Sequence, residues 1–348
     1  MPVRLKDIAH DLGLSMVTIS KVLRNHPDIS AETRERVLRR VKELNYYPNL
    51  AARTLITGQS FTLGVIVPDL LHPFFAQIAQ IISATVRERG YSLVIASSDE
   101  DAALEQREIE HLMARNVDCL LIASAQWSVE SFRRIEMQKI PYILLDRQFA
   151  GLTANFVGVD DYAVGLLATR HLIEQGCRNI AHIRGPEVST ALGRYHGYHQ
   201  ALLEAGLPIL PENVISLGTS GDTRGVSGGY DVTQKLLANA THPDGIFCFN
   251  DPSAIGSVRA LLDAGLTVPG DVAVIGCGNL SYSDFLKVPL SSVDQNSMQI
   301  GIEAANLALF LAGQKEPQVP QSKVIEPQIR VRASSLRISL KAQLQTRI

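Results

Sequence analysis

The chain has 348 residues, 46% of them hydrophobic and 20% charged, and carries a net charge of −2. That length exceeds one ordinary core, so two or three domains are expected, and the aliphatic content with little net charge excludes a disordered chain. No apolar run approaches the roughly 20 residues that cross a bilayer, and Cys119, Cys177, Cys248 and Cys277 stand too far apart for a metal clip, so they read as small core residues.

The charge is unevenly spread. Residues 1–60 hold ten Lys and Arg against six Asp and Glu, a surplus of four, which leaves the remainder six units negative. A small basic module on an acidic body suits nucleic-acid binding, because phosphate attracts the module and not the body. The opening "MPVRLKDIAHDLG" has no apolar leader run, so the expected location is the cytoplasm.

Three short helices are expected before residue 46. "LKDIAHDLG" places Ile8, Ala9 and Leu12 on one face, with Gly13 as the left-handed residue that ends it. Ser15 is an N-cap for a second helix whose stripe is Ile19, Val22 and Leu23. Ser30 caps a third, with Val37, Leu38, Val41 and Leu44 inward, arginines outward and Pro48 as its stop. Two helices joined by so short a turn, with a third to complete the core, make a helix-turn-helix. Met16 and Val17 then face away from the stripe, beside Thr18, Ser20 and Lys21. In such a module the second helix enters the DNA major groove, where apolar side chains read thymine methyl groups and a lysine reaches a guanine edge or a phosphate.

After the small-residue linker "NLAARTLITGQS", short aliphatic runs alternate with helical stretches: "FTLGVIV", "YSLVIAS", "DCLLIAS", "PYILLD", "NFVGV", "NIAHIRG", "DGIFCFN" and "VAVIGC". The pattern predicts parallel sheets covered on both faces. Uneven strand spacing, with Pro, Gly and Asp at the carboxyl ends, favours two doubly wound lobes with a ligand cleft between them over a single barrel. No Walker motif, "GxGxxG" opening a helix, "GxSxG" or histidine metal spacing appears, which argues against an enzyme, and no cofactor is expected. A complete helix-turn-helix module argues against a secreted solute-binding protein with the same core.

Residues 4–55, "RLKDIAHDLGLSMVTISKVLRNHPDISAETRERVLRRVKELNYYPNLAARTL", closely resemble the DNA-binding headpiece of the lactose/galactose-repressor (LacI/GalR) family. From "LGVIVPDLLHPFF" onward the chain resembles that family's periplasmic-binding-protein-like core. The resemblance implies an all-α helix-turn-helix headpiece (1–47), a hinge helix and linker (48–60) and an α/β core of two doubly wound lobes (61–340). It implies a transcription regulator, a repressor, that binds near-palindromic operator DNA as a homodimer or tetramer. It further implies allosteric control by a small molecule, a sugar, sugar acid or sugar phosphate, with no membrane partner.

Carried over by position, Met16, Val17 and Lys21 fall on the family's specificity readers, with Ser15, Thr18, Ser20 and Asn25 alongside. Leu55 falls on the minor-groove wedge of the hinge, with Asn49, Ala52 and Arg53 around it; a wedge of this kind unstacks a base step and bends the duplex. In the core the resemblance assigns effector contacts to Asp69, His72, Phe74, Asp146, Arg147, Phe156, Asp160, Arg194, Asn250, Asp251 and Gly278, with Arg194 of "GRYHGY" as the principal clamp. The sequence departs from the family at His72, which replaces Asn, and at "VIGCGNLS", where Gly278 stands in place of the first Asp of "GYDD". Loss of that carboxylate leads to the expectation of an anionic ligand beside Arg194.

Overall fold

The computed structural model describes residues 3–23, 26–46, 54, 58–126, 128–218, 221–239, 242–314 and 316–337. The sequence-derived readings of Asn25, Pro48, Asn49, Ala52, Arg53 and Leu55, and of the tail beyond Arg337, lie outside these residues. The chain divides into two compact units, Met1–Ser60 and Phe61–Ile348.

The first unit is built from α1 (Leu5–Leu12), α2 (Met16–Leu23) and α3 (Ala31–Glu43). Gly13 ends α1 with φ 65°, its amide donating to the Ala9 and His10 carbonyls. Ser15 Oγ accepts from the Thr18 amide at 3.0 Å, and Ser30 Oγ accepts from the Thr33 amide at 3.3 Å. Each cap satisfies a donor that the first helical turn leaves without a partner. Ile8, Ala9, Ile19, Val22 and Val37 form the core, and Arg40 Nε reaches Asp11 at 3.0 Å to fasten α3 to α1. Leu38 corrects the sequence reading. It is 46% exposed, because the inward stripe of α3 runs through positions 37, 41 and 44 and Leu38 lies one step around the helix from it. The helix ends at Glu43, with Asn45 at φ 45°, ahead of Pro48.

The second unit has two lobes. In the first, β1 (Thr62–Val67), β2 (Ser92–Ser97), β3 (Cys119–Ile122), β4 (Tyr142–Leu145), β5 (Asn155–Val159) and β11 (Ser322–Ile325) form a parallel sheet of order β11-β5-β4-β3-β1-β2. Helices α4 (Pro73–Arg87), α5 (Ala102–Ala114), α6 (Glu130–Met137) and α11 (Ser297–Ala312) belong to this lobe, and α4 and α11 share one apolar cluster with β1, β3 and β4. In the second lobe, β6 (Ile180–Arg184), β7 (Val214–Ser216), β8 (Gly245–Cys248), β9 (Ala273–Cys277), β10 (Ser291–Asp294) and β12 (Gln328–Arg330) have the order β12-β10-β9-β8-β6-β7, with only β12 antiparallel. Its helices are α7 (Asp161–Glu174), α8 (Ser189–Glu204), α9 (Gly221–Leu237) and α10 (Asp251–Asp263). The chain passes between lobes at β5 to α7, β10 to α11 and β11 to β12. The doubly wound expectation is borne out.

Helices α7 and α8 cross in backbone contact. A β-carbon at Gly165 would stand 2.7 Å from the Arg194 carbonyl carbon, and one at Gly197 would stand 2.5 Å from the Leu166 nitrogen. Only glycine fits at such a crossing. The contact brings Arg194 of α8 to the first residue of α7.

Candidate functional site

The outward face of α2 carries Met16 at 55% and Val17 at 63% exposure, on a helix whose other apolar residues are inward. Ser15 and Thr18 hold each other, with hydroxyls 2.9 Å apart. Ser20 is half-buried on the same helix. Lys21 is not a free cation: its Nζ lies 2.5 Å from Asp28 Oδ2. That ammonium, with His26 on the other oxygen, holds the Asp28 carboxyl below the usual carboxylate range.

In the second unit the carboxyl ends of the two sheets face each other across the cleft. After β4, Asp146 (φ 62°) lines a cavity of about 370 Å³ together with Gln148, Asp160, Asp161 and Ser189. Asp160 is exposed and caps α7, accepting from the Ala163 amide at 3.0 Å. Arg194 lies behind this cavity, 3% exposed; Nε donates to Asp161 Oδ1 at 2.9 Å, Nη1 donates to the Phe249 carbonyl at 2.7 Å, and the guanidinium sits 4.6 Å from the Phe249 ring centre. Burial pushes the Asp161 carboxyl up, and its ion pair with Arg194 pulls it back toward the charged form. Arg147 lines an adjoining cavity of about 260 Å³ with Ser124, Gln126, Glu187 and Ser189. It is gripped from behind by Glu100, at 2.6 and 2.9 Å, and donates to the Ser124 carbonyl at 2.9 Å. Hydrogen bonds join the lobes across the cleft: the Gln148 backbone amide donates to Ser189 Oγ at 2.8 Å, and Asn250 Nδ2 donates to His72 Nε2 at 3.3 Å. Asn250 Oδ1 is committed to capping α10 through the Ser253 amide, so its amide NH₂ must face His72, which must accept.

The remaining expected effector residues are placed differently. Asp69 accepts from the Leu71 amide at 2.8 Å and lines, with His72, a third cavity of about 660 Å³ against Tyr230, Arg259 and Tyr282. Phe74 packs edge-on against Phe75 inside the first-lobe core, because the first turn of α4 points it at β1 and α11. Phe156 belongs to the opposite cluster with Phe132 and Leu144, since alternation along β5 turns it to that face. Asp251 is fully buried and accepts from the Leu280 amide (2.9 Å) and Ser292 Oγ (2.7 Å), which fixes the loop after β9 to β10; burial pushes it up to about 6. Gly278 adopts φ 128°, and a β-carbon there would stand 3.7 Å from Asp251 Oδ2. Phe74, Phe156 and Asp251 are thus buried, each held by packing or hydrogen bonds within its own lobe.

Sequence reasoning missed Asp161 and Glu100, the carboxylates that pair with the two arginines. It also missed Gln148 and Ser189, which join the lobes. The expectation of an anionic ligand took Arg194 to face no carboxylate, and Asp161 stands beside it. The carboxylate absent at Gly278 is supplied from α7, so Arg194 is not an open cation. Among the described residues no three His, Cys, Asp or Glu side chains gather as metal ligands, and no helix is long and apolar enough to cross a membrane.

Comparison with known proteins decides what this two-part architecture belongs to. Residues 4–49 match the family described as bacterial regulatory proteins, lacI family, and residues 60–327 match periplasmic binding proteins and sugar binding domain of LacI family. The chain is a member of the lacI family. Among its relatives, the HTH-type transcriptional repressor PurR of Haemophilus influenzae (strain PittEE) is 32% identical over 336 residues, covering 95% of this chain and 98% of that protein. PurR of Pasteurella multocida (strain Pm70) is 30% identical over 316 residues, covering 90% and 93%. The solved lac repressor dimer bound to operator and the anti-inducer ONPF superposes with a TM-score of 0.83 at 25% identity, covering 97% of this chain and all of that one. A transcriptional regulator CelR-cellobiose complex gives 0.72 at 28%, covering 95% and 99%. This lacI-family member is thus a DNA-binding transcriptional repressor under small-molecule control, with its helix-turn-helix in the first unit and its effector domain in the second.

Proposed function

We propose that the effector is a neutral polyhydroxy compound, a sugar or oligosaccharide, held in the inter-lobe cleft by Asp146, Arg147, Gln148, Asp160, Ser189 and the Arg194–Asp161 pair. The observation that carries this reading is the pairing itself. Arg194 already has a carboxylate at 2.9 Å, so an incoming carboxylate or phosphate meets a neutralised guanidinium and the Asp146 and Asp160 carboxyls beside it. Sugar hydroxyls suffer no such repulsion and donate to carboxylates. The cellobiose held by CelR is in keeping with this class.

The operator is read by Met16, Val17 and Lys21 of α2, with Ser15, Thr18, Ser20 and Asn25 as supporting contacts. The segment 48–60 is the hinge, in which Asn49, Ala52, Arg53 and Leu55 meet the minor groove. Two copies make the functional unit, because one three-helix module spans few base pairs and symmetry then requires a near-palindromic site. Ligand in the cleft alters how the lobes sit, and so the spacing of the paired hinges; the coupling is reciprocal, so operator DNA changes effector affinity by the same factor.

Calorimetric titration with mono- and disaccharides, sugar acids and sugar phosphates tests the effector class. Binding of neutral sugars is expected, and tight binding of acids or phosphates with none of neutral sugars would overturn it. For the reading helix, Met16→Ala with Val17→Ala should lower the preference for duplexes selected from a random pool; an unchanged preference removes both residues from base reading.

A further inference from the structure

Asp28 is a carboxylate on the surface of the headpiece that bears the exposed face of α2. It stands in the turn between α2 and α3, its side chain 46% exposed, and receives two donors: Lys21 Nζ at 2.5 Å and His26 Nδ1 at 2.7 Å. The turn is fastened to α3 by Arg34 Nη2, which donates to the His26 carbonyl at 2.6 Å. An exposed ion pair adds little to folding, and a carboxylate close to a phosphate backbone is repelled by it. Its value must therefore be sought in what it does to Lys21.

Non-specific DNA binding is a sum of Lys and Arg contacts to phosphate, each of which releases counterions, and it carries no sequence information. A lysine held by a carboxylate does not count fully in that sum. A base edge in the major groove presents a directional acceptor to a side chain carried on the reading helix. Such an acceptor competes for an ammonium already pointed the right way, whereas scattered phosphates compete poorly with a carboxylate in contact. We propose that Asp28 is a specificity-determining positioning residue. It holds the Lys21 ammonium over the face of α2, withdraws it from indiscriminate phosphate binding, and yields it to the correct base edge. This inference rests on α2 being the reading helix.

The test uses the full chain, a fluorescently labelled duplex of mixed sequence, and a duplex selected by the wild type from a random pool. Asp28→Asn should bind the mixed duplex more tightly than the wild type, with the slope of log affinity against log salt steeper by about 0.9, as for one additional phosphate contact. Between about 200 and 50 mM salt its advantage should therefore grow about 3.5-fold. Affinity for the selected duplex should rise less, so discrimination falls. Asp28→Glu should restore both readouts. In a Lys21→Met background, Asp28→Asn should leave the slope unchanged. Circular dichroism of each variant at the assay temperature establishes that the headpiece is folded.

An equal slope change with and without Lys21 would overturn the proposal, because Asp28 would then act through its own repulsion alone. Unchanged discrimination in Asp28→Asn, while Met16→Ala with Val17→Ala does lower it, would also overturn the role of Asp28 and leave the reading helix standing. If neither variant changes discrimination, both readings fall.

Discussion

Gly165→Ala puts the connection between helix packing and the effector site to a direct test. The new β-carbon would stand 2.7 Å from the carbonyl carbon and 2.9 Å from the Cα of Arg194, where ordinary contact begins at 3.4 Å. The neighbour is backbone and cannot rotate away, so α8 must withdraw from α7 by about 0.7 Å or more. Taken along the bond from Arg194 Nε to Asp161 Oδ1, now 2.9 Å, that displacement stretches it to about 3.6 Å or more, where it no longer counts as a hydrogen bond. On helix propensity alone the substitution would stabilise by about 1 kcal/mol. Overpacking costs about 1–3 kcal/mol and lies at the upper end where the obstacle is main chain. The net expectation is a loss of about 1–2 kcal/mol, or about 2–8 °C in Tm for a unit of this size. Effector affinity, measured by calorimetry, should fall with it. Urea unfolding that finds Gly165→Ala as stable as the wild type or more so would refute the claim that these helices touch backbone to backbone.

Glu100→Ala should destabilise by about 3–5 kcal/mol, because it leaves the Arg147 guanidinium, 2% exposed at its side chain, without the carboxylate that neutralises it; a denaturant midpoint within experimental error of the wild type would contradict this. His182, sandwiched between Phe247 (ring centres 4.6 Å apart) and Tyr198 (5.2 Å), is held by burial at about 3, far below an ordinary imidazole. The unfolded chain takes up that proton near pH 6.5 and the native state does not, so the stability His182 allows is complete above that pH and is lost as pH falls toward 3. His182→Phe keeps the stack and removes the titration. Relative to the wild type it should gain about 1.4 kcal/mol between about pH 7.5 and 5.5, and equal pH profiles for the two proteins would show that His182 is not held neutral.

How much was legible in the sequence depends on what each residue had to announce. The eight aliphatic runs became strands, seven of them because a strand buried on both faces is mostly apolar, while β2 is a half-exposed edge strand that is aliphatic only at its centre. The four that were not read are β7, β10, β11 and β12: β11 is the polar and exposed edge of its sheet, β7 and β12 have three residues each, and β10 begins with two serines. The caps at Ser15 and Ser30 were readable because capping is local chemistry. Leu38 was misread because one residue of rotation separates stripe from surface. In the cleft, Arg194 and Asn250 came from motif position. The partners of the arginines did not, because pairing is set by tertiary contact: Glu100 is 47 residues from Arg147, and Asp161 is 33 from Arg194. In "VDD" the two aspartates look alike until the helix start is fixed. Asp160 then becomes the exposed cap and Asp161 the partly buried first residue.

The three passages of chain between the lobes govern how the protein is made. Ile300, Ala304, Ala305, Leu307, Ala308 and Leu311 of α11 fill the heart of the first lobe, and β11 closes its sheet beside β5. A nascent chain that has left the ribosome only as far as the second lobe therefore holds a first lobe with an open apolar groove and an unpaired strand edge. Synthesis must pass β11 and β12 before the two sheets are closed, and until then the open groove and strand edge are surfaces on which a partly made chain can aggregate.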